Sequence, residues 1–568
     1  MLCAKRQWVI AFLIFMACGI CIFAKDGDLM VGKAREGALR EGKPCSFTLT
    51  LETGDFAQLN LDPRGKEVVV LSYDPASHRF RGAKIGPGQG AFDFIAERAG
   101  AYRIDISAED KTADGMFTIT LEKIVAVSAR LAPGKPRYES PRIAALRTSL
   151  ASGKPESVNE FWEEIQKQGT PLIEPLAGDN ENMLVTFLWR GAPGTQNVFV
   201  ARLPYAAAMP DDYYMKCLGE TDVWYASVAT DRKTRFTYRL APNLPPFRGV
   251  AYGIDNDMIA MFAAAVRPDP LNPKRWRVDP QSVDAPEYLG DSMVEMPDAP
   301  AQPWLTERPG IMAGQVEKRQ FESEMMKNER EIAVYLPPEY SKSAKAYPLL
   351  VLFDEQAYVG DANQAMLVPT PTILDNLIAA RRIPTMLALF VGNAPGARGR
   401  ELPCNAAFSD FLVSELLPWA HGLYNFTSDP RRVVIGGSSF GGLAATCASL
   451  RHSETFGNVL SQSGSYWWTP ENPENSSATG HGAEPNWVAK QFIASPKLAL
   501  RFYLDAGSEE VDFSGKGDSI LLTNRNLRDV LLAKGYEVHF QVFAGGHDYL
   551  SWRGTLADGL ITLLGSEQ

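Results

Sequence analysis

Short runs in which apolar and polar residues alternate fill the first half of the chain. Fully apolar runs separated by amphipathic stretches fill the second. Between residues 27 and 125, PCSFTLTLETGD, FAQLNLDPRG, KEVVVLSYDP, GAFDFIAERAG, AYRIDISAED and GMFTITLEK alternate and are cut by Gly, Asp and Pro. Alternation of this kind marks strands with one buried face, and its spacing predicts a β-sandwich or jelly-roll accessory domain over 25–127. A polar linker carrying a helix follows over 128–168. Alternation resumes in LVTFLWRG, NVFVARLP, DVWYASVAT and TRFTYRLAPN, which predicts an immunoglobulin-like sandwich over 169–302 with Trp189, Trp224 and Tyr238 as core or face aromatics.

From 303 to 568 the pattern changes. YPLLVLFDEQ, TMLALFVGN, RRVVIGGS, GNVLSQSGS, LALRFYLDAGS and YEVHFQVFAGG are strand-like, and TPTILDNLIAARRI, AAFSDFLVSELLPWAHGLY, GGLAATCASLRH and SILLTNRNLRDVLLAKG are helix-like. Strands alternating with helices predict a doubly wound, mostly parallel sheet, with chemistry at the carboxyl ends of the strands. The expected architecture is therefore multidomain, two β-sandwiches followed by an α/β domain.

The chain has 568 residues, too many for one core, with 45% hydrophobic and 22% charged residues and a net charge of −10. An acidic balance argues against nucleic acid as a partner. Residues 1–24 stand apart: Lys5 and Arg6 precede an uninterrupted apolar run from Trp8 to Ala24. That is the layout of a signal peptide, and it predicts an exported protein, periplasmic or secreted. An uncleaved membrane anchor or a lipid anchor is the other reading of the segment. Beyond it the cysteines are Cys45, Cys217, Cys404 and Cys447, too scattered for a zinc ribbon. They leave room for one bridge in an oxidising compartment, Cys404 with Cys447 for instance, which the sequence does not decide. No metal-ligand cluster is visible, and no cofactor is expected.

The candidate chemistry lies in GGSSFGGLAAT, residues 436–446, between a strand pattern and a helix pattern. No lysine follows the glycines, so a phosphate-binding loop does not fit. Gly437-Ser438-Ser439-Phe440-Gly441 fits G-x-S-x-G, the turn that lifts a nucleophilic serine above an α/β-hydrolase sheet. The spacing selects Ser439, leaves Ser438 as a spacer, and makes the backbone N–H of Phe440 an oxyanion donor. A serine needs a base, and in this fold the order along the chain is Ser, acid, His. His539 lies within an alternating strand, whereas His547 follows Gly545-Gly546 past its end, so His547 is the expected base. The acid is sought in LDAGSEEVD among Asp505, Glu509, Glu510 and Asp512, with Glu510 preferred. The second oxyanion donor is expected after LLVLFDEQ, near Glu355 or Gln356.

The carboxyl-terminal 260 or so residues resemble the enterochelin esterase family through LLVLFDEQAY, RGRELPCNAAFSDFLVSELLPW, VVIGGSSFGGLAA, LSQSGSYWW and GGHDYLSWR. Upstream, TPLIEP, VTFLWRG, CLGETDVWY and DPLNPKRW resemble the sandwich that precedes the hydrolase in that family. The resemblance favours Glu510 over Glu509 and implies hydrolysis of the serine trilactone of enterobactin-like catecholate siderophores, a small-molecule ester substrate. Such an anionic, aromatic substrate makes Arg398, Arg400, Trp467 and Trp468 candidate binding residues. The leading domain is not part of the family's pattern; its AERAGAYRIDISA resembles bacterial pre-peptidase C-terminal domains. The competing expectation is a secreted feruloyl or acetyl esterase acting on plant polysaccharide.

Overall fold

The computed structural model describes residues 27–40, 43–53, 55–88, 90–96, 98–110, 114–126, 138–203, 213–243, 265–277, 289–360, 366–470, 486–511 and 519–565. The apolar segment 1–24 and Asp512, one of the acid candidates, lie outside them. The chain divides into two compact units, Met1–Gly134 and Lys135–Gln568.

In the first unit two sheets enclose one core. One sheet orders Gly27–Asp28, Cys45–Leu51, Gly100–Ala108, Val68–Tyr73 and Arg79–Ile85; the other orders Ala34–Leu39, Gly115–Val125, Phe56–Asp62 and Gly90–Ile95. The alternation seen in the sequence becomes alternating burial, as in Phe56–Asp62, where Ala57, Leu59 and Leu61 are buried. Phe47, Tyr102, Phe117 and Ile119 fill the space between the sheets.

The second unit begins with helices Pro141–Ala151 and Ser157–Gln168, the latter turning Phe161, Trp162 and Ile165 inward. Two four-stranded antiparallel sheets follow, sharing a core of Val185, Phe187, Phe236, Tyr238 and Leu240. Tyr238 is fully buried, whereas Trp189 and Trp224 face each other across a strand pair at the margin of that core. Three strands of this region are used below: β1 (Arg235–Pro242), β2 (Arg275–Trp276) and β3 (Asp291–Glu295), with β3 pairing both others.

An eight-stranded sheet completes the unit. Its strands are β4 (Gln315–Ser323), β5 (Asn328–Leu336), β6 (Leu349–Phe353), β7 (Leu387–Val391), β8 (Val433–Ser438), β9 (Asn458–Gln462), β10 (Arg501–Gly507) and β11 (Glu537–Phe543). The order is β4-β5-β7-β6-β8-β9-β10-β11. Only the pairings β4–β5 and β5–β7 are antiparallel. Every residue of β6, β7, β8 and β9 is buried, because helices cover both faces of a parallel sheet. Alternate residues of β6 enter opposite cores: Leu349, Val351 and Phe353 one, Leu350 and Leu352 the other.

Candidate active site

Four elements that flank the carboxyl strand ends position the side chains of interest: α1 (Glu355–Val359), α2 (Arg398–Glu401), α3 (Phe440–Arg451) and α4 (Tyr549–Leu564). Ser439 sits between β8 and α3 with φ 59° and ψ −121°. A non-glycine residue held there stores roughly 1–3 kcal/mol of backbone strain, which surrounding contacts must offset. Two of them are visible: Ser439 N–H donates to Gln462 O at 2.9 Å, and Ser465 N–H donates to Ser439 O at 3.1 Å. The turn is tight enough to require its glycines. A Cβ on Gly437 would lie 2.9 Å from the Gly441 carbonyl carbon, and one on Gly442 would collide with the Ser461 hydroxyl.

Beyond β11 the chain turns at Gly545, whose φ of 149° suits glycine, and presents His547. Its Nδ1 lies 2.5 Å from Glu510 Oε1. Glu510 is completely buried, and its Oε2 accepts from Gly507 N–H at 2.6 Å. A carboxylate in that position keeps the proton on Nδ1 and leaves Nε2 free to act as a base. Trp552 meets the imidazole edge-on with centroids 4.7 Å apart, and its indole N–H donates to Ser463 Oγ at 2.9 Å. Asp548 caps α4 by accepting from Leu550 N–H at 2.8 Å, so the helix start fixes the loop just behind His547.

Ser439 and His547 are not hydrogen-bonded to each other. The Ser439 hydroxyl instead lies 3.3 Å from that of Ser465, which is buried. Catalytic hydrogen bonds of this kind often tighten only when substrate is bound. His539 stacks on Tyr503 with ring centroids 5.3 Å apart, away from this group. Beneath the site Asp505 is fully buried and its carboxyl is pushed up to about 8, by burial first and then by the neighbouring Glu510, against hydrogen bonds from Thr555 and Ser463 N–H.

The residues around Ser439 divide into two groups. Phe440 and Glu355 are the first residues of α3 and α1, so their N–H groups have no acceptor within their own helices. The Glu355 side chain points elsewhere: it is buried, 3.0 Å from Lys318 Nζ, and pushed up to about 7 chiefly by burial. Arg398 reaches the Phe440 ring, with its guanidinium carbon 5.7 Å from the centroid, and Phe440 packs on Trp467 at 5.9 Å. Arg398 is also committed to Asp354, donating through Nε at 2.6 Å and Nη2 at 2.8 Å. Asp354, with φ 63°, is the left-handed residue that launches α1, and Asn393 donates to it as well at 2.6 Å. Much of the Arg398 charge expected for substrate is thus spent on holding this loop. Arg400 is exposed and makes no ion pair among the described residues. Trp468 turns into the core, edge-on to Trp487 at 5.7 Å.

Sequence reasoning missed Asp354, Ser465 and Trp552. Ser465 carried a signal, since LSQSGS places it just past the end of the strand beside the serine turn. Cys404 and Cys447 form a disulfide, tying α3 to the loop after α2. Among the described residues no group of His, Cys, Asp and Glu is arranged to hold a metal ion, and no helix is long and apolar enough to cross a membrane.

Residues 323–563 match the family model named Esterase, and residues 184–305 match "Enterochelin esterase, N-terminal". A serine turn at the carboxyl end of a central strand of a mostly parallel sheet, with a buried acid and a histidine following two other strands, is consistent with that match: the protein is a carboxylic ester hydrolase. The chain is 32% identical over 447 residues to an iron(III) enterobactin esterase of Dickeya dadantii, a match spanning 74% of this chain and 95% of that protein. It belongs to the enterochelin esterase family. It is also 27% identical over 429 residues to an iron(III) salmochelin esterase of Escherichia coli, covering 74% of this chain and 98% of the relative. Among solved structures, it is similar to the ferric enterobactin esterase of Salmonella typhimurium (TM-score 0.56, 28% identity, 71% of this chain and 98% of the other). The enterobactin esterase of Shigella flexneri, crystallised in the presence of enterobactin, is similar at TM-score 0.53 and 28% identity, over 70% and 96% of the two chains.

Proposed function

We propose that the protein hydrolyses the serine trilactone of enterobactin-like catecholate siderophores, ferric or iron-free, and so serves iron acquisition. The observation that carries this reading is the double match. Both the sandwich at 184–305 and the catalytic region at 323–563 align with the family, over nearly the whole length of relatives named for iron(III) enterobactin. A feruloyl or acetyl esterase needs only the second region.

In this reading Ser439 Oγ attacks an ester carbonyl while His547 Nε2 takes its proton. Glu510 holds the imidazole in the required tautomer and stabilises the imidazolium. The N–H groups of Phe440 and Glu355 receive the oxyanion. His547 then returns the proton to the departing seryl oxygen, and water repeats the sequence to free the enzyme. Phe440 and Trp467 offer apolar faces to catechol rings, with Arg398 and Arg400 at the periphery, while Trp468, packed in the core against Trp487, does not take the binding role expected of it. The domain order is two sandwiches, 25–127 and 169–302, followed by an α/β-hydrolase at 303–568.

We place the protein outside the cytoplasm, in the periplasm or tethered to a membrane there. The basic-then-apolar segment 1–24 supports that placement, as does the Cys404–Cys447 bridge, a bond favoured in oxidising compartments. The test incubates the protein with ferric enterobactin and, separately, with methyl ferulate, and follows both by chromatography. Conversion of the trilactone to linear or monomeric catecholoyl-serine is expected. An intact trilactone beside rapid ferulate release transfers the case to the polysaccharide esterase.

A further inference from the structure

The sandwich brings to the His547 loop a concentration of positive charge that ester cleavage itself does not use. Arg235, Thr237 and Arg239 share one face of β1, since strand side chains alternate. That face meets the catalytic region: Thr237 Oγ1 donates to Asp548 Oδ2 at 3.3 Å, and Asp548 directly follows His547. One strand repeat further on, Arg239 Nε donates to Asp291 Oδ1 at 2.5 Å. From the end of β2, Arg277 Nε donates to Asp291 Oδ2 at 2.9 Å.

Asp291 is 1% exposed, while the Arg239 and Arg277 side chains are 34% and 38% exposed. Two guanidiniums on one buried carboxylate leave one positive charge unmatched, with part of each cation open to solvent. Among the described residues neither guanidinium makes a second ion pair. Glu295 is shared between Arg235 at 3.2 Å and Lys274 at 3.8 Å, and Arg553 of α4 lies 4.5 Å over the Trp276 ring. In a chain of net charge −10 this is a local reversal of sign.

The β1 face adjoins the start of α4 through the Thr237–Asp548 bond, and there burial raises the Asp548 carboxyl and the Tyr549 phenol while Arg277 opposes both shifts. Tyr549 packs edge-on to Trp552 at 4.9 Å, and Trp552 in turn supports His547.

We propose that Arg239 and Arg277 form an anion-recognition subsite of the esterase, contributed by the sandwich rather than by the catalytic region, for an ester carrying several negative charges such as a ferric catecholate chelate. This rests on the substrate reading above. Anchored through Nε to Asp291, each guanidinium keeps N–H donors for oxygen anions, and the shared carboxylate pre-orients both forks. A purely structural clamp on Asp291 is the competing account. Arg277→Gln separates the two, because Asp291 keeps its bond to Arg239 and stays paired.

The experiment measures binding of ferric enterobactin by fluorescence quenching in the Ser439→Ala protein, with and without Arg277→Gln, at low and physiological salt. Hydrolysis is followed in the Ser439 background on ferric enterobactin and on neutral p-nitrophenyl butyrate. Loss of a charge-assisted contact should weaken binding roughly ten- to a hundredfold and flatten its salt dependence. KM for the charged ester should rise at least tenfold more than for the neutral one, and Arg277→Lys should recover part of the loss. Unchanged affinity in a folded variant, equal losses on both esters, or no binding by the parent protein overturns the subsite. Binding that depends on Arg277 without any trilactone cleavage upholds the subsite and refutes the substrate reading. Cleavage indifferent to Arg277 does the reverse.

Discussion

Replacing Glu510 by Gln preserves shape and changes only which atoms donate. Both oxygens of Glu510 are in use: Oε1 faces His547 Nδ1 at 2.5 Å, and Oε2 accepts from Gly507 N–H at 2.6 Å. An amide offers one acceptor to these two positions. With its oxygen toward Gly507, its NH₂ faces Nδ1, forces that nitrogen to accept, and moves the imidazole proton to Nε2, where the base should be empty. With its oxygen toward His547, the NH₂ opposes a backbone N–H in a completely buried site, at a cost of about 1–3 kcal/mol. The second arrangement is the only competent one, so it is populated roughly ten- to a hundredfold less. Loss of the charge that stabilises the imidazolium removes about another 1.5–3 kcal/mol. Together these predict a fall in kcat/KM of about 10²- to 10⁴-fold, the upper end matching acid-to-amide changes in serine triads. Initial rates on p-nitrophenyl butyrate measure it, with Glu509→Gln expected within about threefold of the parent. A loss smaller than tenfold in Glu510→Gln, at unchanged melting temperature, would refute the assignment.

Ser439→Ala should abolish turnover down to the residual activity of binding and oxyanion donors, while Ser438→Ala stays active; labelling of Ser438 by a fluorophosphonate would reverse the register. Arg398→Ala frees Asp354 and the start of α1, so it should lower kcat even on a small neutral ester, whereas an effect confined to KM for the charged substrate would show that Arg398 only binds. Asp505 holds its proton more tightly folded than unfolded, since burial moves its carboxyl from the ordinary value near 3.9 up to about 8. The stability it contributes is therefore full below about pH 4 and lost as pH rises toward 8; Asp505→Asn should flatten the melting temperature over that window, and an unaltered slope would count against the argument. Cys404→Ser with Cys447→Ser opens a loop spanning 43 positions and should cost up to about 4 kcal/mol, read as a melting temperature lowered by up to about 4 °C in a unit as large as 135–568; no change in an oxidised preparation would show the bridge to be idle.

What the sequence made legible was local. The serine turn announces itself because strand, glycines and helix are contiguous, and His547 does so because a loop after a strand has few histidines to offer. Strand alternation exposed the many β-sheets of the first half for the same reason: the period is written in neighbouring residues. Glu510 was harder, since four acids crowd one short segment, and among the described ones it is the contact with His547 Nδ1 that singles Glu510 out. Contacts joining distant segments left almost no trace. Arg398 looked like a free cation because its partner Asp354 lies 44 positions away. Nothing in the sequence singles out Arg277 and Arg239, because their shared carboxylate, and the α4 start they border, come from other segments of the chain.

The Thr237–Asp548 contact has a consequence for how this molecule can be divided. Gln302 repeats the tie a short distance away, donating to Leu550 O at 2.9 Å and accepting from Arg553 Nε at 2.8 Å. The start of α4, and with it the loop that presents the histidine, is thus bolted to a second sheet as well as to its own. A fragment cut near residue 303 would keep the nucleophile, the acid and the base, yet expose the buried side of that joint and loosen the base alone. The compact unit that keeps both sides of this joint is 135–568, and grafting or minimising the esterase should start from it.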